Sequence, residues 1–123
     1  MRAGAKVWVV LGAVFAALSV ALSAAAAHVP ALQEAGPALA ASLEQHRLHA
    51  LGLVLVGVLQ ARQPSAWWML SGGLMVAGLL LFCLNIDARL LWGWDAARAL
   101  VPSGGTAFML AWLALALGAI RNG

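Results

Sequence analysis

The chain has 123 residues, 64% of them hydrophobic and only 9% charged, with a mean hydropathy of +0.95. A soluble domain carries about a quarter charged residues, so this composition excludes an ordinary soluble domain and points to an integral membrane protein in one compact unit. The net charge of +3 and pI near 10.6 come from basic residues scattered singly along the chain. A nucleic-acid footprint clusters them on one face, so no nucleic-acid partner is expected and the charge is read as membrane topology.

The first span is expected over residues 7–27, behind Arg2 and Lys6. Its charged start and Ala25-Ala26-Ala27 resemble a secretory signal peptide, but the apolar run of 21 residues exceeds the roughly 7–15 of a signal peptide. It is therefore expected to be retained. Gly12, Ala16, Ser19 and Ser23 form a small-residue stripe that lets another helix approach closely. Residues 28–37 make a loop, with Pro30 and Gly36-Pro37 as breakers. The second span is expected over 38–61, with Pro37 suited to a first helical position.

A short polar turn at 62–65 implies an antiparallel hairpin to the third span, 66–86. Trp67 and Trp68 anchor that span at the interface, and Gly73/Ala77 form a small-xxx-small pair. Residues 87–102 read as an interfacial connection holding Asp87, Arg89, Trp92, Trp94, Asp95 and Arg98, with Asp95 and Arg98 paired if the stretch coils. The fourth span is expected over 103–120, where Ala107, Ala111, Ala114 and Gly118 line one face. The lone Cys83 has no CxxC partner and is expected to pack as a small hydrophobe.

Four spans leave both termini on one side. Arg2, Lys6, Arg62 and Arg121 lie on that side, against Arg47, Arg89 and Arg98 on the other, with Arg47 discounted as intrahelical. The basic excess places both termini in the cytoplasm. The expected fold is all-α: a single membrane domain, 1–123, forming a four-helix bundle of four transmembrane helices.

The chemistry concentrates at Glu44-Gln45-His46-Arg47-Leu48-His49, in the head of the second span. Ionisable groups at membrane depth are costly and mark functional candidates. On a helical wheel Ser42, Gln45, His49, Gly52 and Val56 share one face, while Glu44 and Arg47 can pair with each other. His28 and Asn85 end their spans on the same side of the membrane, so a polar cluster of His28, Gln45, His49 and Asn85, flanked by Glu44 and His46, is the candidate site. Two readings compete for it. A ligand reading makes it a seat for a haem, a quinone headgroup or a metal. A packing reading has His28 and His49 hydrogen-bond across helices as interhelical glue, with His46 at the interface. Packing is preferred, because a di-iron Glu-x-x-His bundle needs more carboxylates than the four present, at other spacings. No P-loop, GxSxG, HExxH or CxxC occurs, so no catalytic residue and no metal site is expected.

Several landmarks resemble the YgdD-like family of small bacterial inner-membrane proteins of unknown function. They are Ala27-His28-Val29, Leu43-Glu44 through His49-Ala50-Leu51, Phe82, Pro102-Ser103-Gly104-Gly105 and Gly118-Ala119-Ile120-Arg121, spread over nearly the whole chain. The chain departs from the family pattern at Ser23, Ala24 and Ala26, where glycines are usual. It departs again at Gln45-His46, in place of an aromatic-Gln pair, and at Cys83-Leu84-Asn85, in place of Ser-Gly-Ser. The resemblance implies a four-helix fold in the bacterial inner membrane and no established activity. The function expected on these grounds is non-enzymatic and cofactor-free. It is that of an accessory or structural subunit, partnered by the bilayer and by other membrane subunits or copies of itself, with haem, quinone, metal or lipid binding as the alternative.

Overall fold

The computed structural model describes residues 1–122, which form helices and short connections without a strand. Helix α1 (Ala3–His28) leads through a short α2 (Pro30–Gln33) to α3 (Pro37–Arg62). Helix α4 (Ala66–Gly78) passes through a π-helical turn (Leu79–Leu84) directly into α5 (Asn85–Trp92). A 3-10 turn (Arg98–Leu100) then enters α6 (Val101–Asn122).

Local chemistry sets these limits. Pro30 and Pro37 each open a helix, where a missing N–H costs nothing. Ser65 caps α4 by accepting the Trp67 backbone N–H at 3.1 Å. Gly93 ends α5 in the left-handed region at φ 70°, its N–H donating to Arg89 O at 2.9 Å.

The rod from Ala66 to Trp92 therefore outruns its expected end at residue 86, because nothing breaks the helix before Gly93. The expected interfacial connection over 87–102 is largely absorbed: its first six residues belong to α5, its last two to α6, and Gly93–Ala97 remain irregular.

Among the described residues three stretches are long and apolar enough to cross a membrane: Ala3–His28, Ala66–Trp92 and Arg98–Asn122. Helix α3 has 26 residues but is not among them; Glu44, Gln45, His46, Arg47 and His49 crowd its first half.

Helix α1 lies along α3, α4 lies along α6, and α3 meets α4 across the hairpin. Leu53, Val56, Trp68, Met75, Leu79, Cys83, Phe108 and Ala111 form the central core, and Leu32, Leu39 and Leu43 a smaller one beneath α2. Only Ala5, Gly12 and Ser19 of α1 are buried, one small residue every seven, while Val7, Val10 and Val14 face outward.

Small residues at the contacts allow backbones to approach, which is how apolar helices associate without a hydrophobic driving force between them. A Cβ on Gly12 would lie 2.7 Å from Val54 Cγ2 and 2.8 Å from Ala50 O, and one on Gly78 would collide with the Phe108 ring. Ala107, Ala111, Ala114 and Gly118 are buried on α6, whereas Ala16 and Ala77 are half-buried. The expected Gly73/Ala77 contact is displaced: Gly73 is exposed with nothing near it, and Gly72 and Gly78 make the close approaches instead.

Side chains tie the helices where packing alone would let them slide. Ser71 Oγ donates to Ala111 O at 2.8 Å, Trp8 Nε1 to Met69 Sδ at 3.4 Å, and Asn122 Nδ2 to Ser65 Oγ at 2.6 Å. Gly78→Ala is expected to lose about 1–3 kcal/mol, the usual cost of overpacking, whereas Gly73→Ala stays within about 0.5 kcal/mol. Thermal unfolding of both variants in a mild detergent checks the contrast.

Candidate functional site

The polar residues of α3 divide between two neighbouring faces. His49 is 1% exposed and faces α6. Trp112 Nε1 donates to His49 Nε2 at 2.9 Å, and His49 Nδ1 lies 2.7 Å from Gln45 O. An indole N–H can only donate and a carbonyl can only accept, so Nε2 carries the lone pair and Nδ1 the proton. Phe108 stacks on the ring, with centroids 3.6 Å apart and planes at 15°. Both nitrogens are thus engaged, and His49 has no lone pair left to offer a metal or a haem iron.

Beside this stack, a groove of about 350 Å³ runs between α3 and α6. Gln45, His49 and Thr106 give it a polar edge; Leu48, Phe82 and Met109 are among its apolar walls. The Thr106 hydroxyl donates back to Pro102 O at 3.1 Å, so its oxygen keeps only acceptor capacity.

His46 is fully buried on the α1 side rather than lying at the interface. Its Nε2 donates to Phe15 O at 2.8 Å, and its ring meets Phe15 edge-on at 5.8 Å. One turn earlier, Ser42 Oγ donates to Asp87 Oδ1 at 2.6 Å and lies 3.2 Å from Cys83 O.

Of the expected cluster, Gln45 and His49 share the groove, while the other members part company. Asn85 spends both amide hydrogens on carbonyls, Leu81 O at 2.9 Å and Ala97 O at 2.6 Å, and so pins the Gly93–Ala97 turn. His28 is exposed at the end of α1. Glu44 is exposed, and Arg47 turns back on its own helix, Nε donating to Leu43 O at 3.3 Å. Among the described residues no three His, Cys, Asp or Glu side chains converge as a metal site.

Asp87, Phe108, Trp112 and Phe15 join these environments unforeseen. The four-residue spacing of Phe108 and Trp112 was a readable signal, an aromatic pair on one face of α6. Asp87 gave less: a lone carboxylate at an expected span end reads as solvated.

Trp112→Phe removes the indole donor to His49 Nε2. It is expected to destabilise the chain by about 1 kcal/mol, on the scale of interhelical hydrogen bonds in membranes. In ¹⁵N-histidine NMR the His49 Nε2 resonance should move while Nδ1 stays protonated.

The chain resembles proteins already grouped together. The family described as a protein of unknown function, DUF423, matches residues 22–105. The UPF0382 membrane protein YwdK of Bacillus subtilis is 30% identical over 122 residues, covering 94% of this chain and 98% of its own. The UPF0382 inner membrane protein YgdD of Escherichia coli is 30% identical over 120 residues, covering 88% of each. No solved structure matches. With matches across most of its length to a membrane protein and an inner membrane protein, this chain belongs to the DUF423 family of proteins of unknown function.

Proposed function

We propose that the chain is a non-catalytic, four-span protein of the inner membrane that holds one lipid-like amphiphile in the groove between α3 and α6. The observation carrying this reading is the groove itself: about 350 Å³, apolar along its length, with Gln45, His49 and Thr106 at one edge. Small-molecule sites fall at about 300–1,000 Å³ and combine apolar walls with a few placed polar groups. The amphiphile's head meets the Gln45 amide and its tail lies along Phe82 and Met109. A quinone or a lipid ester fits that chemistry better than a haem, because His49 has committed both ring nitrogens.

The way α3 hides its polarity supports the reading of four spans. At 1.5 Å per residue, 26 residues reach about 39 Å, more than the roughly 30 Å of hydrocarbon. Ser42, His46 and His49 are buried against neighbouring helices, so lipid does not meet them. Glu44 and Arg47 are exposed but lie within the first three turns, near enough to reach the headgroups. The distribution of Lys and Arg supports cytoplasmic termini. Single cysteines at Arg62 and Trp94 test the topology: a periplasmic reagent should label Trp94→Cys and spare Arg62→Cys, and the reverse pattern overturns the orientation.

A second reading, an accessory subunit or a homo-oligomer, is favoured by one observation. Gly73 is exposed on α4 with open space above it, beside half-buried Ala77. Gly12, Gly72, Gly78 and Gly104, by contrast, each meet a neighbour from within the chain. Gly73→Ile should dissociate such an assembly on a native gel; a chain that already migrates as a monomer in mild detergent rejects it.

The amphiphile reading is tested by native mass spectrometry of the intact chain released from membranes, followed by extraction and identification of bound molecules. One lipid-like molecule per chain is expected. Met109→Trp, at a position 63% exposed, should fill the groove and reduce retention at least about tenfold, a change of about 1.4 kcal/mol in binding. Equal retention by this variant and by Gln45→Ala rejects the groove as the site.

A further inference from the structure

The α1 side of α3 carries a second arrangement that the groove does not use. His46 and Asp87 are 0% and 4% exposed, and each keeps one buried side-chain atom with no partner: His46 Nδ1 and Asp87 Oδ2. Their other atoms are fixed. His46 Nε2 donates to Phe15 O, and Asp87 Oδ1 accepts from Ser42 Oγ. Ser42 and His46 stand one turn apart on α3, so the serine holds the carboxylate within Coulombic reach of the imidazole. The two free atoms do not bond each other. Both are acceptors when His46 is neutral and Asp87 ionised, which leaves two lone pairs turned inward where solvent does not reach.

Two buried acceptors have a specific complement. A water molecule has two hydrogens to donate, and sites with two or more polar partners are where proteins hold internal water. An unpaired carboxylate oxygen in the interior is costly, and native structures account for nearly every such atom. A proton satisfies the same atoms: with one proton the pair is neutral, either as imidazole with carboxylic acid or as imidazolium with carboxylate.

We propose that Ser42, His46 and Asp87 form a buried proton-binding site in which one water bridges His46 Nδ1 and Asp87 Oδ2. The excess proton is taken from solution and resides on Asp87 Oδ2 or His46 Nδ1. It passes between them by donation to the water oxygen and release of the water's other hydrogen, so every exchange leaves the water intact. Either position of the proton leaves the pair neutral overall, so the two groups share it through the water. The other ionisable side chains in the surroundings are few. Buried Cys83, on the π-helical turn, is near enough to sense the Asp87 charge. Arg89 is half-buried two positions after Asp87, and Glu44 and Arg47 on α3 are exposed. Helix α1 contributes a carbonyl, Phe15 O, and α2 is followed by exposed Glu34. None of these closes the gap between the two free atoms.

The site is separate from the groove, since its residues do not line it. It stands whether or not an amphiphile binds.

The test is ¹⁵N-histidine NMR with water-edited transfer on the intact chain in lipid bilayers, with His46 assigned by its loss in His46→Gln. The expected result is a His46 Nδ1 resonance in contact with water that is absent for most of the core, and a single protonation step shared with the Asp87 carboxyl band in infrared spectra. Asp87→Asn should abolish that band, shift the His46 Nδ1 resonance and weaken its water transfer. Should that variant fail to fold, Ser42→Ala releases Oδ1 and should shift the same two signals. A His46 ring that receives no water transfer in the unmodified chain and shows an unchanged spectrum across pH overturns the proposal. So does an Asp87 band that titrates independently of His46. Retention of an amphiphile is not read in this experiment, so its outcome stands apart from that of the groove.

Discussion

The hydrogen bond from Trp112 to His49, backed by the Phe108 stack, is the constraint on which the middle of the protein turns. Helices α1 and α3 pack as one pair and α4 and α6 as another. The hairpin contact of α3 with α4 joins the pairs at one edge, and His49 reaches across to α6 at 2.9 Å. The contact works because His49 is held from its own helix by Gln45 O, which fixes the tautomer that Trp112 requires. The same ring then forms the polar edge of the groove. One side chain therefore bridges the two helix pairs and lines the cleft between them.

The π-helical turn at Leu79–Leu84 has a comparable reach. Such turns hold one extra residue within the helix and rotate everything beyond it. They are frequent at functional sites, and this one lies at the level of His49, Phe82 and Phe108. Gly78 admits the Phe108 ring immediately before it. Beyond it Asn85 faces the Gly93–Ala97 turn and Asp87 faces Ser42.

Burial without solvent also explains how the polar inventory is handled. Ser19 and Ser23 donate to carbonyls of their own helix, Ser71 to Ala111 O, and Asn85 to Leu81 and Ala97. Each is satisfied by a backbone carbonyl, which a helix supplies wherever a short side chain can reach. Against that regularity His46 Nδ1 and Asp87 Oδ2 are the exceptions, and they are the two ionisable members of the set without a full complement of partners.

Composition alone determined that this is an apolar, helical membrane protein, because a chain with 9% charge cannot clothe a soluble surface. Local chemistry determined the helix starts at Pro37 and after Ser65, since proline and serine act on the backbone nearest to them. Spacing put Gln45 and His49 on one side of α3, but Ser42, expected with them, stands with His46 on the neighbouring side, bonded to Asp87. What lay across from that face was decided only in three dimensions. Whether a glycine meets a neighbour, as Gly12 does, or stands open, as Gly73 does, depends on the rotation of a helix about its axis. No single helix records the rotation of its neighbour. Nor could local spacing foresee the π-helical turn, which arises where Gly78 meets Phe108 from a helix thirty positions later. The partners of His49, His46 and Asp87 are all of this kind, set by contacts between segments that are distant in the chain.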